Sequence, residues 1–405
     1  MMNRLLRAIP PLCLAALASC AYFDPVNPPD PALIDKDIGW QAHLESGVGE
    51  TAYCVQPAAD GGFVILGTVE GDTEAADLWL FKTDADGRKQ WSRTFGGASR
   101  DIGRCLRPAP DGGFLLVGST RSLWEASGWD VYLVRTDADG GMLWETTFGG
   151  SADDHGWSVE CTGSDGACII AGGTLSYGAG DSDLYLIKAD AGGNPLWEKT
   201  IGGPCFEEGY AVRQAPDGGF IIAGYTQASF NGDDNAWLVK TDANGNREWD
   251  RVFGTIATSL QDIPGCLEQA RDVQSTAEGG FLVAGYRHPS ATEDCDAWLI
   301  KTDAGGILEW DRTFGGAGWD QAEAVVRTAD GGYALAGMSR SYGAWEQAWL
   351  LKTNHDGIRE WDRSFGEVGD EWGYCLLQTA DAGYLLAGST TSYGGQQAYL
   401  VYYKP

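Results

Sequence analysis

Seven acidic residues recur along this chain at one place in a repeating phrase: Glu50, Asp101, Asp154, Glu207, Glu268, Asp320 and Glu371. Gathered at one mouth, seven carboxylates would hold a cation. Taken singly, each would accept backbone N–H groups in its own turn, a local bond that acidic side chains form well. Repetition favours the second reading. A companion set, Asp77, Asp130, Asp183, Asn235, Asp296, Gln347 and Gln397, drifts from carboxylates to amides, which suits hydrogen bonding better than metal binding.

Chemistry peculiar to one repeat is sparse. Asp153-Asp154-His155 is the one acid–base cluster, and no nucleophile stands near it, so no catalytic residue is assigned. "NGDDN", residues 231–235, is oxygen-rich enough for Ca²⁺ but lacks the spacing of a calcium loop. No metal ligand set and no other cofactor is expected: CxxC is absent and the four His are dispersed. Cys161 and Cys168 flank the "TGSDGA" turn and form one candidate disulfide; Cys266 and Cys295 form a second. Cys54, Cys105 and Cys375 follow the first acid by four positions, where Ser158, Ala211 and Ala324 are also small and Asp272 is the outlier. They read as buried thiols, with a bond between neighbours left open.

The elements that must position these residues are legible as repeats. Turns of the type "DGG" begin at Asp60, Asp111, Asp165, Asp217, Glu278, Asp330 and Asp381, spaced 51, 54, 52, 61, 52 and 51 residues apart. Each repeat divides into four strands; in the second they are "IGRCLRPA", "GGFLLVGST", "DVYLVRTD" and "LWETTFGG". Asp-Gly between apolar runs favours a hairpin, because Gly accepts positive φ. The second strand is apolar throughout, which implies burial on both faces. The fourth carries a Trp, at positions 91, 144, 197, 249, 310 and 361, while the last repeat stops after its third strand. Trp40, in "IGWQAHLESG", supplies the missing seventh. These deficits complement each other, as a closed ring requires and a solenoid does not. The expected fold is all-β, a seven-bladed β-propeller over residues 38–405 whose last blade is completed by the N-terminal strand.

Three stretches of the chain resemble known families. "LASC", Leu17–Cys20, after Arg4, Arg7 and a short apolar run, resembles the lipobox of bacterial lipoproteins. It implies a signal peptide at residues 1–19 and a lipid on Cys20. A Pro-rich tether would then run over residues 20–37. The address would be the cell envelope, at the outer membrane where the source has two membranes. "AWLIKTDAGGILEWDRTFGG", residues 297–316, is similar to the bacterial and archaeal extracellular propeller repeats. That family implies secretion and a propeller and carries little established chemistry. The turn-then-Trp phrase is also shared with quinoprotein dehydrogenases, whose cofactor residues have no counterpart here.

With 57 acidic against 28 basic side chains and a net charge of −29, the surface repels nucleic acid and anionic headgroups. Partners are therefore the membrane, through Cys20, and an unidentified protein or glycan. Aromatic residues in loops sharing one face of the ring suggest where that ligand binds: Trp124, Trp129, Trp319, Trp345, Trp372, Tyr177, Tyr342 and Tyr393. Trp157 and Phe230 lie in or beside the same loops, and the insertion at residues 254–267 would project from that face. The expected function is a lipid-anchored binding or scaffold propeller. The alternative is polysaccharide cleavage by carboxylates at the channel mouth.

Overall fold

The computed structural model describes residues 38–44, 49–71, 75–123, 128–227, 234–254, 267–288, 294–343 and 345–405. Cys20, the tether, Trp124, Cys266 and most of the 254–267 insertion lie outside them. Within the described residues the chain is all-β. After β1 (Ile38–Leu44), the first sheet holds β2 (Glu50–Pro57), β3 (Phe63–Glu70), β4 (Ala76–Thr83) and β5 (Lys89–Phe95). The second holds β6 (Asp101–Pro108), β7 (Phe114–Thr120), β8 (Asp130–Thr136) and β9 (Met142–Phe148). The third holds β10 (Asp154–Cys161), β11 (Cys168–Thr174), β12 (Asp183–Ala189) and β13 (Pro195–Ile201).

Next come β14 (Glu207–Gln214), β15 (Phe220–Gln227), β16 (Asp234–Thr241) and β17 (Arg247–Phe253). A single parallel pairing, Asp234 with Leu267, joins them to β18 (Leu267–Ser275), β19 (Phe281–His288), β20 (Asp296–Thr302) and β21 (Leu308–Phe314). A further sheet holds β22 (Asp320–Arg327), β23 (Tyr333–Ser339), β24 (Gln347–Thr353) and β25 (Arg359–Phe365). The last three strands are β26 (Glu371–Gln378), β27 (Tyr384–Thr390) and β28 (Gln397–Tyr403), and β1 pairs antiparallel with β28, Gln41 opposite Val401.

Local chemistry builds each sheet. In the DGG turns the acid accepts the N–H two residues on, as Asp217 does from Gly219 at 2.9 Å, and the middle Gly has positive φ, 92° at Gly112. A cation on the third strand reaches back to the same acid: Lys240 to Asp217 at 2.7 Å, Lys352 to Asp330 at 2.9 Å. The second strands are buried over most of their length, "FLLVGST" at every residue, and β3, β15 and β19 open only toward their C-terminal ends. Their central Gly has a specific cause. A β-bulge in each first strand pushes a carbonyl against it, so that a Cβ on Gly118 would collide with the oxygen of Ile102 and one on Gly337 with that of Gln321.

The sheets dock face to face in a propeller-like arrangement. Fourth-strand Trp rings lie over the turn Gly of the next sheet: a Cβ on Gly140 would stand 2.7 Å from Trp91, and one on Gly245 2.6 Å from Trp197. These Trp act as wedges between neighbouring sheets. The innermost strands touch in succession, β2 with β6, β6 with β10, β10 with β14, β14 with β18, β18 with β22, β22 with β26, and β26 with β2.

Candidate functional site

The bulges also build the site. Each inserts one residue between two neighbours that are small in every case but Asp272, and that residue turns toward the axis. The seven are Tyr53, Arg104, Trp157, Tyr210, Arg271, Glu323 and Tyr374, and all line one axial cavity of about 460 Å³. They touch in sequence around it. Tyr374 lies 5.1 Å from Tyr53 between ring centroids. Arg104 is held between Tyr53 at 4.5 Å and Trp157 at 4.7 Å. Trp157 meets Tyr210 edge-on at 5.5 Å, Arg271 sits 4.3 Å over Tyr210, and its Nε donates to Glu323 at 2.8 Å. A cation over an aromatic face is attracted by the ring quadrupole, more strongly where water is scarce.

Charge in this cavity is paired, with one exception. Four arginines and three carboxylates line it. Arg107 donates to Glu160 at 3.0 Å, Arg213 to Asp272 at 2.8 Å and Arg271 to Glu323 at 2.8 Å. Arg104 is left over. Among the described residues no hydrogen-bond acceptor meets its guanidinium, which is half-buried, packs against the two rings and lies within the field of the Glu208 carboxyl.

One layer toward the loops, His155 and Glu208 approach the ring. The His155 ring lies 5.9 Å from Trp129 and 6.0 Å from Trp157, and burial lowers its pKa against the pull of Asp153. Burial pushes the Glu208 carboxyl up to about 7, opposed by Trp157, Arg271 and Arg104. This carboxyl holds a proton over part of the neutral range.

Among the described residues, the aromatics expected on one loop face pack on different neighbours. Trp129 joins the mouth through His155, and Trp372, in strand β26, stacks on Tyr374 at 5.8 Å. Trp157 is not a loop residue but part of β10 and of the axial ring. Trp319 packs on His288 at 5.4 Å. Tyr177 lies against Tyr185 and donates to the Gly149 carbonyl at 2.7 Å; Tyr342 leans on Trp349 and accepts from Arg359 at 3.1 Å. Tyr393 stacks on His43 of β1 at 4.2 Å. Trp345 is 49% exposed. The outward members serve their own sheets, because a flat ring is stabilised by covering a neighbouring strand's side chains.

The repeated acids are buried and locally bonded. Asp154 accepts from Gly150 N–H at 2.8 Å and Ser176 at 2.7 Å, Glu207 from Gly203 at 2.7 Å and Thr226 at 2.9 Å. Among the described residues no group of three or more His, Cys, Asp or Glu is arranged to hold a metal ion. Asp234, from the "NGDDN" stretch, accepts from Gln227 at 2.9 Å and Gln269 at 2.6 Å.

Cys161 stands directly opposite Cys168 across β10 and β11, yet both are free thiols. The expected bond is replaced by a turn of the Cys161 thiol to the Pro108 carbonyl of the neighbouring sheet, at 3.3 Å. Cys295 is a buried free thiol, and its proposed partner Cys266 lies outside the described residues. Cys54, Cys105 and Cys375 come together under the ring. The Cys54 thiol donates to Leu106 O at 3.6 Å, Cys105 to Val159 O at 3.8 Å, and Val55 N–H donates to Cys375 Sγ at 3.4 Å.

No family model matches the chain, and no curated protein does. Solved structures do. The chain is similar to Drosophila Plexin A, crystallised with Semaphorin 1b, at TM-score 0.50 and 7% identity over 91% of this chain and 87% of that one. It is also similar to the Trypanosoma rangeli sialidase, at TM-score 0.48 and 11% identity over 89% of this chain and 59% of that one. The likeness is one of fold alone. The likeness to Plexin A places the four-stranded sheets in a propeller-like architecture.

Proposed function

We propose that this chain is a seven-bladed β-propeller, closed by β1 and related to the extracellular repeat proteins it resembles. It is held at an envelope membrane by a lipid on Cys20 and receives a glycan or protein ligand at its axial cavity. Closure is supported by the junction between β2 and the last sheet, which repeats the bonds of the others. Glu50 N–H donates to Gln396 O at 2.9 Å, as Glu207 does to Ser182 at 2.7 Å and Asp320 to Cys295 at 2.7 Å. A Cβ on Gly87 would stand 2.6 Å from Trp40, the same wedge as at Gly140.

The observation that carries the binding function is the axial ring. Its position is occupied by Tyr, Arg, Trp, Tyr, Arg, Glu and Tyr in turn, while the residues beside it stay small except for Asp272. Folding asks only for space there. Aromatic faces with a few convergent polar groups in a cavity of this volume are what small-ligand sites are built from, within the range of about 300–1,000 Å³. The test is a glycan-array and pull-down screen of the full chain beside a Tyr53→Ala, Trp157→Ala variant and a Trp345→Ala variant. Loss with the first and retention with the second is expected. The reverse pattern would move the site to the loop surface.

Polysaccharide cleavage is a second reading, favoured by the raised Glu208 carboxyl, which suits a general acid. Against it, the three carboxylates lining the cavity are all engaged by arginines. Glu208→Gln leaves ligand affinity within about threefold in the binding reading. In the cleavage reading it abolishes release of reducing ends.

A further inference from the structure

We propose that the axial cavity binds a carboxylated sugar, a residue of the uronic-acid class, with its carboxylate on Arg104; this rests on the cavity being the ligand site. Of the four arginines lining the cavity, three are neutralised one to one by Glu160, Asp272 and Glu323. The lining therefore carries one surplus positive charge, inside a chain whose net charge is −29. That surplus sits on Arg104, which lines the cavity with its guanidinium carbon 4.5 Å from the centre of the Tyr53 ring and 4.7 Å from that of Trp157.

The two rings restrict the guanidinium, and its N–H donors meet no protein acceptor among the described residues. An edge of parallel N–H donors fits a planar carboxylate through two hydrogen bonds. A single surplus charge suits a monoanion better than a phosphate dianion, which the surrounding acidic chain would repel. The remaining lining selects what bears the carboxylate. Tyr374, Tyr53, Trp157 and Tyr210 offer apolar ring surface to the C–H face of a pyranose. Gln56 and Gln274 offer both donors and acceptors to its hydroxyls. The cavity, at about 460 Å³, admits one or a few sugar residues and no folded surface.

The experiment is calorimetric titration of the full chain with a panel of uronic-acid oligosaccharides and the same oligosaccharides after reduction of their carboxyls. Acetate and inorganic phosphate serve as competitors. The acid forms are expected to bind at least about tenfold tighter than the reduced forms. Arg104→Gln should remove that preference and Arg104→Lys keep part of it, while Trp345→Ala leaves it intact. Equal binding of acid and reduced forms overturns the role of Arg104 while leaving the cavity as the ligand site. Binding of neither form overturns both. Displacement by acetate at concentrations matching the oligosaccharide shows that the carboxylate alone is read, and phosphate outcompeting both makes this a phosphate site; each refutes the sugar. The acid-against-reduced comparison is made on the unaltered protein, so it stands even if Arg104→Gln fails to fold.

Discussion

Asp130→Asn should make this protein more stable at pH 8 and leave it unchanged near pH 4. Asp130 begins the third strand of one sheet and faces Asp154, which begins the first strand of the next. Only Gly149 lies between them, where a Cβ would strike both carboxylates. Burial, then the charge on Asp154, pushes Asp130 from its ordinary 3.8 up to about 6. A carboxyl raised on folding holds its proton in the native state after the unfolded chain has released it. Its contribution is therefore favourable at low pH and declines as pH rises between about 4 and 6. Above that window the penalty is complete. A shift of this size corresponds to about 3 kcal/mol, or ~2 kcal/mol once partial solvent access is allowed for. An amide never titrates, and its N–H can donate to the Asp154 oxygen that has no partner in the structure. The chain already makes this substitution elsewhere, with Asn235, Gln347 and Gln397 at the equivalent junctions, and Gln347 donates to Glu371 at 3.5 Å. Urea midpoints of both proteins from pH 4 to pH 8 measure the difference. A gap that stays constant with pH, or an Asn variant weaker at pH 8, would refute a raised Asp130 carboxyl.

Three further outcomes are expected. Ala382 is the described non-Gly residue with positive φ, 65°, in the turn where the other repeats place Gly, so Ala382→Gly should stabilise by about 1 kcal/mol in the same urea assay. Trp40→Ala empties the wedge over Gly87 and should cost about 2–4 kcal/mol; hydrogen exchange should rise first in β28, and uniform loosening would argue against a local seam. Among the thiols, hydrogen bonding to Cys54 and to the Val55 backbone holds Cys375 below its ordinary value against burial. Burial pushes Cys161 up to about 11 and Cys168 and Cys295 up to about 12. Iodoacetamide at pH 7.5 should therefore label Cys375 first, as mapped by mass spectrometry.

The scaffold could be read from residues because its rules act locally. Asp-Gly turns need positive φ, a second strand apolar at every position needs cover on both faces, and a missing Trp at one end matched by a surplus Trp40 at the other calls for their pairing. The axial ring escaped that reading because a bulge breaks the alternation of sides along a strand. Counting from the acid finds the small residues at Cys54, Cys105 and Ser158, one step past the side chains that face the axis. A sign was present. The Gly inside every second strand, Gly67 through Gly388, marks the close approach that a bulge creates, and it could have directed attention to Tyr53, Arg104 and Trp157. The aromatic loop residues are harder to place, because position in a loop does not say whether a ring leans on its own strand, as Tyr177 and Tyr342 do, or stands out from it, as Trp345 does.

The ladder between β1 and β28 joins the earliest and latest strands, with Tyr399 donating to Gln41 across 358 residues at 2.6 Å. Nothing local can speed that encounter, so it should come late in assembly, after the intervening hairpins have formed. Until then β28 presents a bare row of N–H and C=O groups, a template open to the leading strand of any neighbouring copy. Crowded refolding should thus yield exchanged dimers that trade their first seven described residues, and dilution should favour chains that find their own ends.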